Sequence, residues 1–183
     1  MQKRFEETYE PAEDTMLLLK ATLDEAMPED KAIEIGCGRG LISRELARRV
    51  QSIVATDINP SAVRLAKSYG LDAVRTDLFG GIKAEFDLII FNPPYLPTKE
   101  DERISGWINY ALDGGESGRD TINRFIEGLK DHLNKKGRCL LLLSSLSGLT
   151  EVKEKAQVEG FRVREVANER CFFEQLYVLK LER

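Results

Sequence analysis

The chain has 183 residues, of which 42% are hydrophobic and 32% are charged, a composition typical of one globular domain with a sizeable core. Its net charge is −4 and its acidic and basic residues are mixed, which disfavours bulk nucleic-acid binding through clustered Lys and Arg. Three cysteines and a single histidine favour neither a disulfide framework nor a zinc site. No apolar run approaches membrane-spanning length, and residues 1–10 lack the apolar core of a signal peptide. We therefore expect a single cytoplasmic domain over residues 1–183 with no metal site.

Taken in chain order, the predicted elements alternate between helices and strands. A first helix starts near Pro11, with acidic residues in its first turn. Later helices are expected at residues 41–50, 60–70, 119–134 and 150–158, and strands at residues 32–35, 53–57, 71–74, 86–91, 139–143, 161–166 and 176–181. Alternation implies a mostly parallel sheet with helices on both faces, and the last two strands form an antiparallel hairpin. The predicted fold class is therefore α/β with seven strands.

A glycine loop follows the first predicted strand, with Gly36, Gly38 and Gly40 at alternate positions. Glycine lets the backbone turn sharply and approach a ligand closely. The spacing differs from the one that cradles a dinucleotide pyrophosphate, so a ligand without phosphates suits the loop better. Asp57 ends the second strand about 20 residues after Gly36, where an acid can bind both hydroxyls of a ribose. The alternative role for Asp57 is to cap the helix that starts at Asn59.

A second carboxylate, Asp77, follows the third strand. A carboxylate at this position can accept a hydrogen bond from the exocyclic amine of an adenine. Its alternative role is that of an ordinary loop residue.

The motif Asn92-Pro93-Pro94-Tyr95 directly follows the fourth strand, where ligands bind in open parallel sheets. Its two prolines fix the backbone and lack N–H donors, which leaves a turn rich in hydrogen-bond acceptors. The side-chain oxygen of Asn92 and the carbonyl of Pro93 can hold a planar NH₂ group, and Tyr95 offers a flat face for stacking. The motif therefore predicts a site for a planar nitrogen acceptor, and a rigid turn that only ends the strand is the alternative. Residues 92–118 form a long irregular segment, which is usually functional.

These motifs resemble those of Rossmann-like methyltransferases that modify amide or exocyclic nitrogens. Within that group, the segment Tyr-Glu-Pro-Ala-Glu-Asp-Thr at residues 9–15 resembles the opening of the HemK-type protein-(glutamine-N5) methyltransferases, in particular their short archaeal and eukaryotic branch. The resemblance covers nearly the whole chain. It implies a Rossmann-like sheet, S-adenosylmethionine as cofactor with S-adenosylhomocysteine as product, and the glutamine of a Gly-Gly-Gln motif in a peptide chain release factor as acceptor.

The resemblance also implies roles for individual residues. The cofactor pocket would be lined by Thr15, Glu34, Gly36, Gly38, Asp57, Asp77, Leu78 and Asn92. The acceptor would be held by Asn92, Pro93, Pro94 and Tyr95, with Asn92 as the catalytic residue. Residues 113–118 resemble a mobile loop of the family, and a plain surface loop is the alternative. His132 has no predicted chemistry and is expected to cap a helix end or face solvent, while Cys37 is expected to be a small packing residue.

We also expect a partner subunit, and two alternative functions are compatible with parts of the sequence. The resemblance implies a small zinc-binding activator subunit, and the strand from Leu71 to Arg75 is the edge on which we expect it to pair. A nucleic-acid methyltransferase acting on exocyclic amines of adenine or guanine is the main alternative, and the acidic balance disfavours it. A non-catalytic scaffold that only binds the cofactor is the second alternative, and the intact acceptor motif disfavours it.

Overall fold

The computed structural model describes residues 8–102 and 105–183. The predicted features at residues 1–7 and at residues 103–104 of the irregular segment lie outside the described residues. The helices are α1 (Glu13–Glu25), α2 (Leu41–Leu46), α3 (Pro60–Ser68), α4 (Trp107–Leu112), α5 (Asp120–Leu129) and α6 (Leu149–Val158). The strands are β1 (Lys31–Ile35), β2 (Ser52–Asp57), β3 (Asp72–Arg75), β4 (Phe86–Phe91), β5 (Leu133–Ser144), β6 (Arg162–Arg170) and β7 (Gln175–Glu182).

The seven strands form one sheet in the order β3-β2-β1-β4-β5-β7-β6. Strands β1 to β5 are parallel, whereas β7 runs antiparallel to both β5 and β6. This arrangement confirms the predicted α/β fold and its C-terminal hairpin. It also makes β3 one edge of the sheet and β6 the other.

Alternating side chains of the central strand β4 explain why helices cover both faces. Ile89 and Phe91 pack in a core with residues of α5 and α6, whereas Leu88 and Ile90 pack in a core with residues of α1 and α2. All four side chains are almost fully buried, as expected for a parallel strand that is covered on both sides.

The boundary between α5 and β5 differs from the prediction. The helix ends at Leu129 and not near residue 134, and β5 already begins at Leu133. The predicted stop at Gly137 lies instead inside β5, where a Cβ atom would come within 2.9 Å of the Phe86 carbonyl oxygen. Sequence patterning missed this start because polar residues follow Leu133 and the pairing with β4 is irregular there. His132 bonds the Gly128 carbonyl at 2.9 Å, which confirms the helix-capping interpretation.

The segment at residues 92–118 contains more regular structure than its composition predicts. It holds the six-residue helix α4 and a 3-10 turn at Glu100–Glu102. The N–H of Leu96 donates to the carbonyl of Leu112 at 3.1 Å, and the N–H of Gly114 donates to the carbonyl of Leu96 at 2.9 Å. These bonds fold the segment back over the end of β4, which brings α4 to the site described below. Within the described residues, no helix is long and apolar enough to cross a membrane.

Candidate active site

A cavity of about 440 Å³ lies at the carboxyl ends of the parallel strands. Its size and position are typical of a small-molecule site in an open α/β sheet. All the predicted site residues line it: Thr15, Glu34, Gly36, Gly38, Asp57, Asp77, Leu78, Asn92, Pro93, Pro94 and Tyr95. The fold therefore brings the predicted residues together, and their individual roles stay predictions.

The glycine loop forms one wall of the cavity, and its glycines place backbone atoms there with no side chains in the way. Gly36 and Gly38 have φ angles of 65° and 52°, where a residue with a Cβ atom is strained. The N–H of Cys37 donates to the carbonyl of Thr56 at 2.8 Å, and the N–H of Gly40 donates to the carbonyl of Cys37 at 2.7 Å. These bonds hold a tight turn against β2. The Cys37 side chain is buried in a small apolar cluster, which confirms its predicted packing role.

Asp57 is held rigidly at the end of β2. Its Oδ2 accepts from the N–H of Gly38 at 2.8 Å, and its Oδ1 accepts from the N–H of Asn59 at 2.8 Å. Burial raises the pKa of this carboxyl, and the hydrogen bonds from the two N–H groups oppose the rise. Asn59 caps α3 by accepting from the N–H of Ser61, so the helix has its own cap. The remaining lone pairs of Asp57 fit the predicted bonds to ribose hydroxyls.

Glu34 connects the end of β1 to the first turn of α2. Its Oε2 accepts from the N–H of Ser43 at 2.8 Å and also from the Ser43 hydroxyl. Burial raises the pKa of Glu34 to about 8, even though the bonds from Ser43 lower it. A substantial share of this carboxyl is therefore neutral near pH 7, and Glu34 supports the glycine loop in addition to lining the cavity.

Asp77 and Leu78 form the wall next to β3. Oδ2 of Asp77 accepts from Nη2 of Arg124 at 2.6 Å in a half-exposed ion pair. Leu78 has a φ of 48°, and such a conformation costs a residue with a Cβ atom about 1–2 kcal/mol. Backbone strain of this kind is common at ligand sites. Arg124 also lines the cavity, and sequence reasoning did not single it out.

Asp14 is the centre of a buried hydrogen-bond cluster beneath the acceptor motif, residues 92–95. Its Oδ2 accepts from Nδ2 of Asn92 at 2.9 Å, from the hydroxyl of Tyr9 at 3.0 Å and from the hydroxyl of Tyr95 at 3.4 Å. Its Oδ1 accepts from the N–H of Thr15 at 2.6 Å and from the Thr15 hydroxyl at 3.2 Å. Asp14 is only 3% exposed, so this acidic residue in the first turn of α1 contacts residues of the site and not solvent.

The contact with Asp14 determines which way the Asn92 amide faces. Because Nδ2 donates to the carboxylate, Oδ1 is the atom left for a ligand. This oxygen is buried and has no hydrogen-bond partner among the described residues. A buried acceptor without a partner costs about 1–3 kcal/mol. Such an atom is expected where a ligand supplies the hydrogen-bond donor. The cavity thus fits a ligand that presents an N–H group to Asn92.

Sequence reasoning missed Asp14, Tyr9 and Glu174. The first two lie in the segment at residues 9–15, where Asp14 was predicted only as an acid in the first turn of a helix. Glu174 comes from the β6–β7 hairpin and lines the same cavity. Its Oε2 is buried without a hydrogen-bond partner in the part of the chain that the structure describes. No sequence pattern links this residue to β4, because only the fold brings them together.

The loop at residues 113–118 packs directly against the acceptor motif. The N–H of Thr98 donates to the carbonyl of Gly115 at 2.9 Å. A Cβ atom on Gly118 would come within 2.5 Å of the Tyr95 carbonyl oxygen, and this glycine has a φ of 70°. Only glycine therefore allows this close approach, and the predicted mobility of the loop stays a prediction.

The comparisons with known proteins agree with this geometry. Residues 12–108 match the family model described as the methyltransferase small domain. The chain is 44% identical to a Methanocaldococcus jannaschii protein whose name assigns it as a protein N5-glutamine methyltransferase, and the match covers 97% of this chain and 92% of that protein. It is 33% identical to the eRF1 methyltransferase catalytic subunit mtq2 of Schizosaccharomyces pombe, over 99% of this chain and 91% of that one.

A solved structure supports the same assignment. The fold matches a chain of the E. cuniculi Mtq2–Trm112 complex, which is responsible for the methylation of the eRF1 translation termination factor. The TM-score is 0.82 and the sequence identity 29%, with 97% of this chain and 99% of that chain covered. These matches confirm the predicted resemblance. The chain belongs to the methyltransferase small-domain family and, within it, to the S-adenosylmethionine-dependent protein N5-glutamine methyltransferases.

Proposed function

We propose that the enzyme methylates the glutamine side-chain amide of the Gly-Gly-Gln motif in a peptide chain release factor. Support comes from the S. pombe and E. cuniculi relatives, whose names describe methylation of the termination factor eRF1. The observation that carries the chemistry is the buried Oδ1 of Asn92, which has no hydrogen-bond partner among the described residues and could accept from an N–H group of the acceptor. Because translation ends on ribosomes, the proposal includes the expected cytoplasmic location.

The acceptor nitrogen needs help because the lone pair of an amide is delocalised into its carbonyl. Oδ1 of Asn92 and the carbonyl of Pro93 would each accept one hydrogen of the glutamine NH₂ group. Two such bonds orient the nitrogen and favour positive charge on it during attack. Near-attack positioning can supply about 7–11 kcal/mol in favourable cases, and acceptors that are preset by the fold need no reorganisation at the moment of reaction.

The cofactor contributes an electrophilic methyl group on its sulfonium centre when it is bound. The residues that would hold it are the glycine loop, with Asp57 for the ribose and Asp77 for the adenine amine. Asp57 is fixed by two backbone N–H groups, so it can present its remaining lone pairs without moving. After transfer, the amide nitrogen would carry the methyl group in place of one hydrogen, the electron pair of the broken methyl–sulfur bond would stay on sulfur, and the proton would leave to water.

Tyr95 would stack on the planar amide. Its hydroxyl donates to Asp14 at 3.4 Å, which restrains the ring beside Asn92. Burial raises the pKa of this hydroxyl and the negative charge of Asp14 raises it further, so the group stays protonated as a donor. Its role is therefore positional and not that of a base.

The nucleic-acid alternative uses the same acceptor chemistry, because exocyclic amines also carry two N–H donors. The net charge of −4 and the names of the relatives favour the protein substrate. The test is incubation with labelled cofactor and, in parallel, a release factor, RNA and DNA. Mass spectrometry should find one added methyl group on the Gly-Gly-Gln glutamine. Label on RNA or DNA alone would contradict the proposal.

We further propose that a small zinc-binding activator subunit pairs with β3. The name of the E. cuniculi complex supports such a partner, since that protein is assembled with Trm112. Strand β3 is an edge of the sheet, as predicted for residues 71–75. Val74 is 43% exposed and the nearby Tyr69 is 44% exposed, which gives this edge apolar surface for a partner. Unpaired edges are templates for strand addition.

Hydrogen bonding within the sheet selects the residue for the test. The N–H of Thr76 donates to the carbonyl of Asp57 at 3.0 Å, so it faces β2. Because successive N–H groups of a strand alternate in direction, that of Val74 also faces β2, whereas that of Ala73 faces the open edge. Ala73→Pro should therefore abolish association while keeping cofactor binding, and Val74→Pro would damage the sheet itself. Unchanged co-purification of Ala73→Pro with an activator, or a complex without zinc, would contradict the proposal.

A further inference from the structure

Two aromatic side chains at the tip of the β6–β7 hairpin are almost fully exposed. Phe172 is 92% exposed and Phe173 is 87% exposed, although large apolar side chains are normally buried. Their ring centroids lie 4.6 Å apart in an edge-to-face arrangement, and the N–H of Cys171 closes the turn by donating to the Glu174 carbonyl at 2.9 Å. The two rings thus form an apolar knob at the hairpin tip. Contiguous exposed apolar surface of this kind marks interaction sites.

The knob lies at the same end of the sheet as the active site, where the parallel strands have their carboxyl ends. Leu176 at the start of β7 pairs with Ser144 at the carboxyl end of β5. The tip therefore projects from the end of the sheet that carries the acceptor motif. A second cavity of about 240 Å³ connects the two. It is lined by Tyr9, Asp14, Tyr95, Phe172, Phe173 and Glu174, among others. Tyr95 and Glu174 also line the active-site cavity, so the surfaces are continuous.

Glu13, Asp14 and Glu174 line the second cavity, and the exposed Glu169 and Arg170 precede the tip on β6. Burial raises the pKa of the nearby Cys171 thiol, and the negative charges of Glu169, Glu174 and Glu13 add to the rise. The acidic surroundings disfavour the phosphates of a nucleic acid or an anionic membrane and favour a basic partner. The activator edge at β3 and the hairpin strand β6 are opposite edges of the sheet, so an activator paired with β3 leaves the knob accessible.

We propose that Phe172 and Phe173 dock the polypeptide segment next to the methylated glutamine, through an apolar side chain on the rings and a basic side chain facing Glu169 and Glu174. The inference rests on the proposed function, because it assumes a polypeptide acceptor. In this proposal the hairpin contributes affinity for the protein substrate, whereas Asn92 orients the glutamine amide. The active site then selects the nitrogen, and the knob selects the segment that carries it.

The test compares the wild type with the double variant Phe172→Ser/Phe173→Ser, using a full-length release factor with its Gly-Gly-Gln motif. The KM for the release factor should rise at least about tenfold, as is typical when an aromatic anchor is lost. The kcat at saturation and the Kd for S-adenosylmethionine should change less than about twofold, since neither ring touches the reacting groups. Val158→Ser is the matched control, because it removes an apolar side chain that is 82% exposed at the far end of α6.

A charge reversal tests the acidic part of the surface independently. Glu169→Lys should raise the KM for the release factor, and the wild-type KM should rise with salt. A double variant with an unchanged KM overturns the docking proposal, as does a knob that instead mediates dimers of this chain in sedimentation with no effect on KM. A wild type that methylates nucleic acid and not the release factor overturns the proposed function first and the docking proposal with it.

Discussion

Nδ2 of Asn92 donates to Oδ2 of Asp14 at 2.9 Å across 78 positions of the chain. This one bond joins the first helix to the acceptor motif and leaves Oδ1 of Asn92 as the amide atom without a partner among the described residues. The carboxylate is buried and receives two tyrosine hydroxyls as well, so the cluster forms a rigid support beneath the reacting amide. Catalytic side chains need such support, because loss of precise positioning is costly.

Asp14→Asn should lower the rate of methyl transfer at least about tenfold, because an asparagine can offer its own NH₂ group and leave the Asn92 amide free to flip. Binding of S-adenosylmethionine should change only a few-fold, since the amide oxygen of the variant can still accept from the N–H and the hydroxyl of Thr15. Single-turnover transfer and calorimetry measure the two effects separately. Asp24→Asn, an exposed position on the same helix, is the control and should match the wild type. Equal transfer rates in both variants would show that the Asp14 cluster is not needed for positioning.

Asp57→Ala should weaken S-adenosylmethionine binding by at least about tenfold, because a hydrogen bond to a charged group contributes about 1.5–3 kcal/mol. The variant also loses the acceptor for the N–H groups of Gly38 and Asn59, so the free energy of unfolding should fall. Asp72→Ala on the neighbouring strand β3 is an exposed control. An unchanged Kd in calorimetry would rule out the ribose role of Asp57.

The pKa of Glu34 predicts a pH dependence of stability. Its folded value of about 8 lies above the ordinary value of 4.5, so the folded state keeps a proton that the unfolded state has released. The free energy of unfolding should therefore fall as pH rises between these values, by up to about 1.4 kcal/mol per pH unit from this group.

Glu34→Gln should flatten that slope, because glutamine does not titrate and still offers an oxygen to the N–H of Ser43. Urea unfolding of the cofactor-free enzyme at pH 5, 6, 7 and 8 measures the difference between the two proteins. Identical slopes for both would mean that Glu34 is ionised in the folded state.

Local patterns were enough to predict which motif residues line the cavity. The glycine turn and the carboxylate at the end of β2 depend on local backbone geometry, which neighbouring residues determine. The prolines after β4 predict a turn by themselves. Asp14 and Glu174 could not be predicted in this way. Their role depends on proximity to residues about 80 positions away, which only the folded sheet and its docked first helix create.

The polar start of β5 and the helix α4 escaped prediction for a related reason. Leu133 is fully buried, but the polar residues that follow it gave no strand pattern. Helix α4 has no fully buried residue, so its sequence lacks a clear apolar stripe. Pairing with β4 and β7 holds β5 in place, and the carbonyl of Leu112 in α4 accepts from the N–H of Leu96.

The central claim is that Oδ1 of Asn92 holds the acceptor amide, and single-turnover methyl transfer by Asn92→Ala at saturating cofactor tests it most directly. Transfer to the release factor should fall at least about a hundredfold, because a preset hydrogen-bonding group can contribute that much. The Kd for S-adenosylmethionine should stay within about tenfold of the wild-type value, because the other predicted cofactor contacts remain. Asn92→Asp keeps an acceptor of similar size and adds a negative charge, so it shows whether acceptor character alone is sufficient. A near-normal transfer rate for Asn92→Ala would contradict the account and make residues 92–95 only a rigid end to β4.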